Sequence, residues 1–189
     1  MIRILGVAGT FQAGKDSVAA LIGWKRYSCS DIIREECRKR GLSIDVNQNL
    51  IDVGNDLRKS SNDAGILGKK VLEAIRFDGV SSALVVSIRT PAELFALKNA
   101  VNVDFRLLVI DAPIEVRFAR AKSLARYSHM SFDEFKAQES AQLNGVDEFS
   151  QQLGKVFGFA DAKLINDFKS LEELKASVFG LFKNWGWCL

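Results

Sequence analysis

The most constraining feature of the sequence is a glycine-bearing loop that directly follows a short apolar segment. Residues Ile2–Ala8 are apolar except for Arg3 and Gly6, which predicts a strand buried on both faces. The next segment, Gly9–Ser17, reads GTFQAGKDS and fits the pattern G-x-x-x-x-G-K, and a helical pattern begins there and continues to Ile22. A strand, a loop of this pattern and a helix in succession predict a phosphate-binding loop.

Each residue type in this loop suits contact with a polyphosphate. Gly9 and Gly14, with the small Ala13 beside them, let backbone N–H groups approach phosphate oxygens without a clashing side chain. The helix N-terminus adds the positive end of its dipole. Lys15 supplies a compact positive charge for the β- and γ-phosphates. We therefore expect these residues to bind the nucleotide.

The residue after the lysine departs from the usual pattern, in which a hydroxyl at this position binds Mg²⁺. This chain has Asp16 there and Ser17 one position later. Asp16 either holds the metal, directly or through water, or is simply a carboxylate favoured at a helix N-terminus. We take Asp16 and Ser17 as the candidate metal ligands.

Apolar segments alternate with helical patterns along the rest of the chain, which predicts a three-layer α/β fold. The whole chain, 1–189, is predicted as one domain with a parallel sheet of about five strands and helices on both faces. Further strands are predicted at Lys25–Ser28, Ala83–Ile88, Val103–Ile110 and Lys163–Ile165. Helices are predicted over about 30–41, 46–59, 62–76, 113–125 and 131–143, and further helices are predicted to begin at Pro91 and at Ser170.

Composition excludes several classes of protein. With 48% hydrophobic residues and a net charge of +3, the chain is not disordered. Its 26 basic and 23 acidic residues are interleaved, which argues against nucleic-acid binding. No apolar run is long enough to span a membrane and no signal peptide is evident. Three cysteines without metal-ligand spacing, Cys29, Cys37 and Cys188, indicate reduced thiols and a cytoplasmic location.

Further motifs make the chain resemble a group of P-loop kinases. Ser28–Glu36 is similar to an S-x-D-x-x-R element, Ser87–Glu93 to a strand-end arginine before a helix, and Ile110–Arg120 to a strand followed by an R-x-x-R helix. With Gly9–Ser17, these segments resemble the nucleoside and deoxynucleoside monophosphate kinases and dephospho-CoA kinase, and especially their little-characterised adenylate-kinase-like branch. The resemblance extends over nearly the whole chain.

The resemblance implies a P-loop NTPase fold with an acceptor-binding helical region at about 30–76 and a small helical lid at about 117–145. It implies ATP and Mg²⁺ as cofactors and a small phosphorylated acceptor, foremost a nucleoside or deoxynucleoside monophosphate. A dephospho-CoA type of kinase is the alternative. The oligomeric state it implies is a monomer or a homodimer.

The resemblance also implies roles for single residues. Arg34, Arg58 and Arg89 would bind the acceptor phosphate, for which the planar guanidinium is well shaped, whereas the alternative for each is a surface ion pair. Asp31 would orient the water around Mg²⁺ or the attacking oxygen, and would be the base if the acceptor is a hydroxyl. Arg120 would act catalytically from the lid.

The lid residues carry two further expectations. Arg126 would also bring positive charge to the transferring phosphoryl group. Arg117 shares a helix face with Arg120, and a solvated basic face is the alternative for both.

Two features keep other interpretations open. Related kinases place an acidic residue near the end of the strand that corresponds to Ala83–Ile88. That acid is absent here, because Val86–Ser87 occupies those positions. A nucleotide-binding regulator without turnover is therefore the second hypothesis, and a GTPase is a weak third because no N-K-x-D element is present. The apolar tail Trp185–Leu189 would pack either on the core or against a second subunit.

Overall fold

A five-stranded parallel sheet forms the centre of the molecule, in the order β2-β3-β1-β4-β5. The computed structural model describes residues 1–145, 147–168 and 170–187, without the side chain of Arg126. The predicted three-layer α/β fold with five parallel strands is confirmed. The strands are β1 (Ile2–Gly9), β2 (Lys25–Ser28), β3 (Ser82–Val86), β4 (Val103–Asp111) and β5 (Ala162–Ile165).

Helices connect the strands and cover both faces of the sheet. A short 3-10 turn, Ala125–Tyr127, lies between the sixth and seventh helices. The helices of the described chain are α1 (Lys15–Ile22), α2 (Cys29–Lys39), α3 (Asn47–Ser60), α4 (Ile66–Phe77), α5 (Pro91–Lys98), α6 (Ile114–Lys122), α7 (Phe132–Leu143), α8 (Leu153–Gly158) and α9 (Leu171–Asn184).

Strand β1 contributes to two separate hydrophobic cores because successive side chains of a strand point to opposite faces. Ile4 and Ala8 pack into a core completed mainly by α2, α4 and α5. Leu5 and Val7 pack into a second core completed by α1 and α9. A strand that is apolar at successive positions is therefore required at the centre of this sheet, as the sequence predicts.

Several element bounds differ from the sequence prediction for local reasons. Strand β3 stops at Val86, two residues early, because Ser87 adopts a left-handed φ of 62°. Helix α4 starts only at Ile66, since Asn62 has a φ of 50° and the Asp63 carboxylate accepts a hydrogen bond from the backbone N–H of Gly65. The six-residue helix α8 was not predicted from the sequence.

The C-terminal tail packs on the core. Trp187 is buried and its ring lies 5.6 Å from that of Trp24 and 5.7 Å from that of Phe182. Its indole Nε1 donates a hydrogen bond to Asp104 Oδ2 at 2.8 Å. Of the two placements considered for the tail, its described part thus takes the intramolecular one, while Cys188 and Leu189 lie outside the described residues.

Strand order determines where a site can form. The chain leaves β1 between β3 on one side and β4 on the other, so the carboxyl ends of all three strands meet at one edge. In open α/β sheets ligands bind at such a point. The loop after β1, the Ser87–Arg89 segment after β3 and the Asp111–Ala112 segment after β4 come together there.

Candidate active site

The loop between β1 and α1 needs glycine at two positions. Gly9 has a φ of 154°, and a Cβ there would lie 2.0 Å from the carbonyl oxygen of Ile110. Gly14 has a φ of 94°, and a Cβ there would lie 2.2 Å from Asn166 Nδ2. The loop is therefore pressed against the ends of the neighbouring strands, with no room for larger residues at these two points.

Two residues that sequence reasoning gave no role hold this loop in place. The Asp111 carboxylate, at the end of β4, accepts hydrogen bonds from Thr10 Oγ1 at 2.6 Å and from the backbone N–H of Ala112 at 2.8 Å. The buried Asn166, just after β5, donates from Nδ2 to the carbonyl oxygen of Ala13 at 2.7 Å. Both residues lie at the carboxyl ends of parallel strands, where ligands bind in such sheets, and this position was the sequence signal that could have identified them.

Lys15 folds back over its own loop. Its Nζ donates to the carbonyl oxygens of Gly9 at 3.1 Å and Thr10 at 2.5 Å. Burial, followed by the positive charge of Arg89, lowers the pKa of Lys15 to about 8. No carboxylate of the described residues forms an ion pair with this ammonium group, so its charge is available to an anion.

Arg89 brings a second uncompensated positive charge to the loop. Its backbone N–H donates to Glu93 Oε2 at 2.7 Å, and its carbonyl oxygen accepts from the backbone of Gln152 at 2.8 Å, which fixes the main chain. Burial lowers the pKa of the Arg89 guanidinium, although Glu93 opposes this effect. Within the described part of the chain, the guanidinium itself makes no hydrogen bond. A partly buried guanidinium in this state favours an anionic ligand.

The positive side chains separate two cavities. The inner cavity, of about 190 Å³, lies between the loop and helices α2, α3 and α7, and the described residues that line it include no acid. The outer cavity, of about 710 Å³, lies along the start of α1 and reaches the segment after β5. Both cavities are lined by Phe11, Lys15, Arg34 and Arg89.

The outer cavity contains most of the predicted nucleotide-binding residues. Asp16 and Ser17 are exposed and line it together with Gly14. A carboxylate and a hydroxyl are oxygen donors that suit Mg²⁺, which keeps several of its waters, so these side chains fit the predicted metal role. Beyond the phosphate loop, the cavity has apolar lining from Phe168, Leu171 and Leu174.

Arg34 and Asp31 form one charged group at the mouth of the cavities. Asp31 Oδ1 accepts from Arg34 at 2.8 Å, and its Oδ2 accepts from Arg26 at 3.2 Å. The Asp31 side chain is 55% exposed and lines neither the inner nor the outer cavity. In this arrangement Asp31 orients the arginines, while Arg34 lines both cavities.

Arg58 differs from the other two arginines predicted to bind the acceptor. It is 1% exposed, and its Nε and Nη2 donate to Glu93 Oε1 at 3.0 and 2.8 Å. Its Nη1 donates to Asn55 Oδ1 and to the carbonyl oxygen of Phe149. The structure therefore places Arg58 in an ion pair, as in the alternative considered for it, but in a buried one, and the residue also lines the inner cavity.

The arginines of α6 are not a solvated basic face. Arg120 donates to the carbonyl oxygens of Gln12 at 3.3 Å and Asn166 at 3.1 Å, and so lies against the phosphate loop at the outer cavity. Arg126 follows this helix in the short 3-10 turn, and its side chain lies outside the described part of the structure.

Arg117 connects the predicted lid with the phosphate loop. It is buried, and it donates to the carbonyl oxygens of Ala112 at 2.7 Å and Phe11 at 3.4 Å. Both of its terminal nitrogens donate to the Glu139 carboxylate on α7. The Phe11 ring also lies 5.7 Å from that of Phe135 on the same helix.

The missing strand-end acid has no direct replacement. Val86 is buried and Ser87 lines the outer cavity. In the described chain, no three His, Cys, Asp or Glu side chains form a group able to hold a metal. Asp16 carries the one carboxylate among the described residues that line the outer cavity.

Sequence comparison finds a relative over nearly the whole length of the chain. No family model matches the chain. A UPF0200 protein of Methanosarcina mazei is 28% identical over 188 residues, which cover 98% of this chain and 96% of that protein. In the structure described here, no helix is long and apolar enough to cross a membrane.

Three solved structures are similar over nearly their whole length. Shikimate kinase from Aquifex aeolicus has a TM-score of 0.54 at 19% identity, with 98% of both chains covered. Dephospho-CoA kinase from Campylobacter jejuni has a TM-score of 0.51 at 14% identity, covering 97% of this chain and 98% of that one. TT1252 from Thermus thermophilus reaches 0.61 at 18% identity, with 97% of both chains covered. The chain thus has the fold of P-loop kinases.

Proposed function

We propose that this protein transfers a phosphoryl group from ATP to a small phosphorylated acceptor. The observation that carries the proposal is the position of Lys15, Arg34 and Arg89 between two cavities that meet at the phosphate loop. A phosphotransferase needs two substrates side by side, and positive charge between them when both carry phosphate. A protein that only binds a nucleotide needs one such cavity.

The outer cavity suits the donor nucleotide. The phosphates of ATP would lie on the loop, at the N-terminus of α1, with the adenosine toward the apolar side chains of Phe168 and Leu171. Asp16 and Ser17 would bind Mg²⁺, whose chemistry is to neutralise charge on the transferring group. Arg120, which lines the same cavity, would do the same.

The inner cavity suits the acceptor and favours a phosphate oxygen as the nucleophile. A hydroxyl nucleophile usually requires a positioned base, whereas a phosphate oxygen is already deprotonated at neutral pH. No acid or histidine of the described residues lines this cavity, and Asp31 is engaged by two arginines. These facts support a nucleoside or deoxynucleoside monophosphate over an acceptor of the dephospho-CoA type.

We further propose the division of the chain that goes with this function. Residues 1–189 form one kinase-like domain, in which the helical region at about 30–76 and a lid at about 117–145 enclose the acceptor. Arg34 and Arg89 bind its phosphate, with Arg126 as a further candidate on the lid. Supporting this, α2 and α3 line one side of the inner cavity, and Tyr127, Gln138 and Gln142 line another.

The test is ADP release from ATP and Mg²⁺ with a panel of ribo- and deoxynucleoside monophosphates and dephospho-CoA. We expect turnover with at least one monophosphate and none with the K15A variant. Turnover with dephospho-CoA alone would contradict the choice of acceptor. ATP binding by calorimetry without turnover on any acceptor would contradict the kinase assignment.

A nucleotide-binding protein without turnover is the second candidate, and the absence of an acid at Val86–Ser87 favours it. Ser87 lines the outer cavity in a left-handed conformation that Asp tolerates. If a missing carboxylate limits catalysis, S87D will raise ADP release over the wild type. An S87N variant keeps the shape without the charge and is the matched control.

A further inference from the structure

The inner cavity has a wall of uncharged amides, which we call the amide wall. It comes from three parts of the chain: Asn47 at the start of α3, Gln138 and Gln142 on α7, and Gln151 just before α8. The same four side chains line an adjoining cleft of about 310 Å³, where no charged residue of the described chain takes part. The charged residues that line the inner cavity thus all lie outside the amide wall; they are Lys15, Arg34, Arg58 and Arg89.

Two oxygens of the amide wall have no partner. The side-chain oxygens Oε1 of Gln138 and Gln151 are shielded from solvent and accept no hydrogen bond from the residues that the structure describes. A buried amide oxygen without a donor costs free energy, and such groups in folded proteins call for an explanation. A ligand with N–H donors would satisfy both, once each amide turns its shielded oxygen toward the cavity that the side chain lines.

The remaining lining of the inner cavity suits a flat ring. Ile33, Leu50 and Ile51 supply an apolar surface, and Phe11 and Tyr127 supply aromatic rings. Apolar and aromatic side chains contact ring faces, while amides contact ring edges. One cavity therefore combines positive charge for a phosphate, an apolar and aromatic surface for the face of a ring, and amides for its edge.

We infer that the amide wall recognises the 6-amino group of adenine or the 4-amino group of cytosine in the acceptor. The inference rests on the proposed function, which supplies the phosphate, and names the other end of the same substrate. Glutamine pairs with the amino edge of adenine by accepting from the amino group and donating to a ring nitrogen. Gln138 and Gln151 thereby become specificity-determining residues.

Two matched pairs of monophosphates test the inference, because AMP and IMP differ at one ring position by amino against oxo, as do CMP and UMP. Affinities are measured by calorimetry without ATP. We expect the amino member of at least one pair to bind about tenfold more tightly, the ratio that one hydrogen bond of about 1.4 kcal/mol provides. Equal affinity, or tighter binding of the oxo member, in both pairs would overturn the inference.

Variants assign the preference to the amide wall. Q138L and Q151L should bring the amino-to-oxo affinity ratio of the preferred pair close to one, whereas Q138E and Q151E retain an acceptor oxygen and should keep a preference. Q48L is the matched control, since Gln48 lines only the adjoining cleft and bonds to Asp52 on its own helix. Thermal unfolding checks that each variant is folded, and an unchanged ratio in both folded leucine variants would overturn the inference.

The outcome separates this inference from the proposed function. Turnover of a monophosphate without amino-against-oxo discrimination leaves the kinase and removes the inference. A clear affinity ratio without ADP release on any acceptor leaves the inference and removes the kinase. Absence of binding by all four monophosphates overturns the inference, while turnover with other acceptors decides the function independently.

Discussion

The two cavities at the phosphate loop are built in different ways. Much of the lining of the outer cavity comes from one continuous segment, Gly9–Ser17. Its backbone is fixed by two obligatory glycines and by hydrogen bonds to Asp111 and Asn166 at adjacent strand ends. The inner cavity is assembled from the loop, from α2 and α3, and from residues around α7 and α8 that are distant in sequence. A short motif can therefore specify the first, but only the complete tertiary fold specifies the second.

The same contrast appears between two neighbouring arginines, Arg58 and Arg89. Arg58 is neutralised by Glu93 and has nearly all of its donors satisfied. Arg89 makes no side-chain hydrogen bond within the described chain and lines both cavities. One arginine therefore stabilises the fold, and the other is available to a ligand.

The largest effect that would test this contrast is on stability. Arg58→Ala leaves the buried Glu93 carboxylate without its partner, so the free energy of unfolding should fall by about 3–5 kcal/mol. Arg40→Ala, which breaks surface contacts with Glu36 and Asp56, should cost no more than about 1 kcal/mol. Urea unfolding measures both, and equal losses would mean that Arg58 is not a structural residue.

Lys15 serves both cavities, so its loss should affect the reaction rather than the fold. Lys15→Ala removes the charge that stabilises the transferring group, and kcat should fall by about a hundredfold to a thousandfold. The melting temperature should stay within a few degrees, since the desolvated ammonium adds little stability. Lys39→Ala, at a surface pair with Glu35, is the control and should leave kcat unchanged. Turnover by K15A at the wild-type rate would remove the loop from catalysis.

The two cavities should respond separately to arginine substitutions. Arg89→Ala should weaken acceptor binding by about tenfold to a hundredfold, the effect of one charge-assisted hydrogen bond, and should weaken ATP binding less, since Arg89 lines both cavities but its proposed partner is the acceptor phosphate. Arg120→Ala should mainly lower kcat, because it lies at the donor side of the loop.

Steady-state kinetics with calorimetry on ATP distinguish the two arginines. Lysine replacements should rescue only in part, because an ammonium keeps the charge and loses the planar fork. If Arg89→Ala harms ATP binding as much as acceptor binding, the assignment of one substrate to each cavity is wrong.

The smallest expected effect is a pH dependence of ATP affinity. The pKa of Lys15 in the free protein is lowered to about 8, and a bound polyphosphate favours the charged form. Binding is therefore linked to proton uptake above pH 8, and affinity should fall about tenfold between pH 7 and pH 9. Calorimetry in buffers of different ionisation enthalpy measures the uptake. The K15R variant, which stays charged, should not show the decrease, and an equal decrease there would assign it to another group.

The donor side was largely predictable from the sequence. The loop pattern after a buried strand predicts residues that line the outer cavity in the structure, since backbone geometry is local there. The roles of Asp111 and Asn166 were missed because they depend on strand order, which sequence pattern alone does not give. Glu93 completes the capping box of α5 through Oε2, and its other oxygen neutralises Arg58, a contact that depends on how α3 packs against α5.

The acceptor side was less predictable. The acceptor-binding region was predicted at about 30–76, whereas three of the four residues of the amide wall, Gln138, Gln142 and Gln151, lie on α7 and just before α8. Helix α8 itself is short and lacks a clear amphipathic pattern, so its position follows from packing against the core rather than from propensity. The sequence alone does not show whether a glutamine on a helix surface faces solvent or a binding cavity, because that depends on which residues the fold brings opposite to it.

The contacts of Arg117 constrain how this molecule can open. Its guanidinium joins α6 to the α7 carboxylate of Glu139, and Phe118 on α6 packs against the rings of Phe132 and Phe135 on α7. We expect two helices joined by an ion pair and by an aromatic cluster to move together. Because Arg117 also donates to the carbonyl oxygen of Phe11, and Arg120 to that of Gln12, a movement of α7 that displaces α6 would break contacts with the phosphate loop.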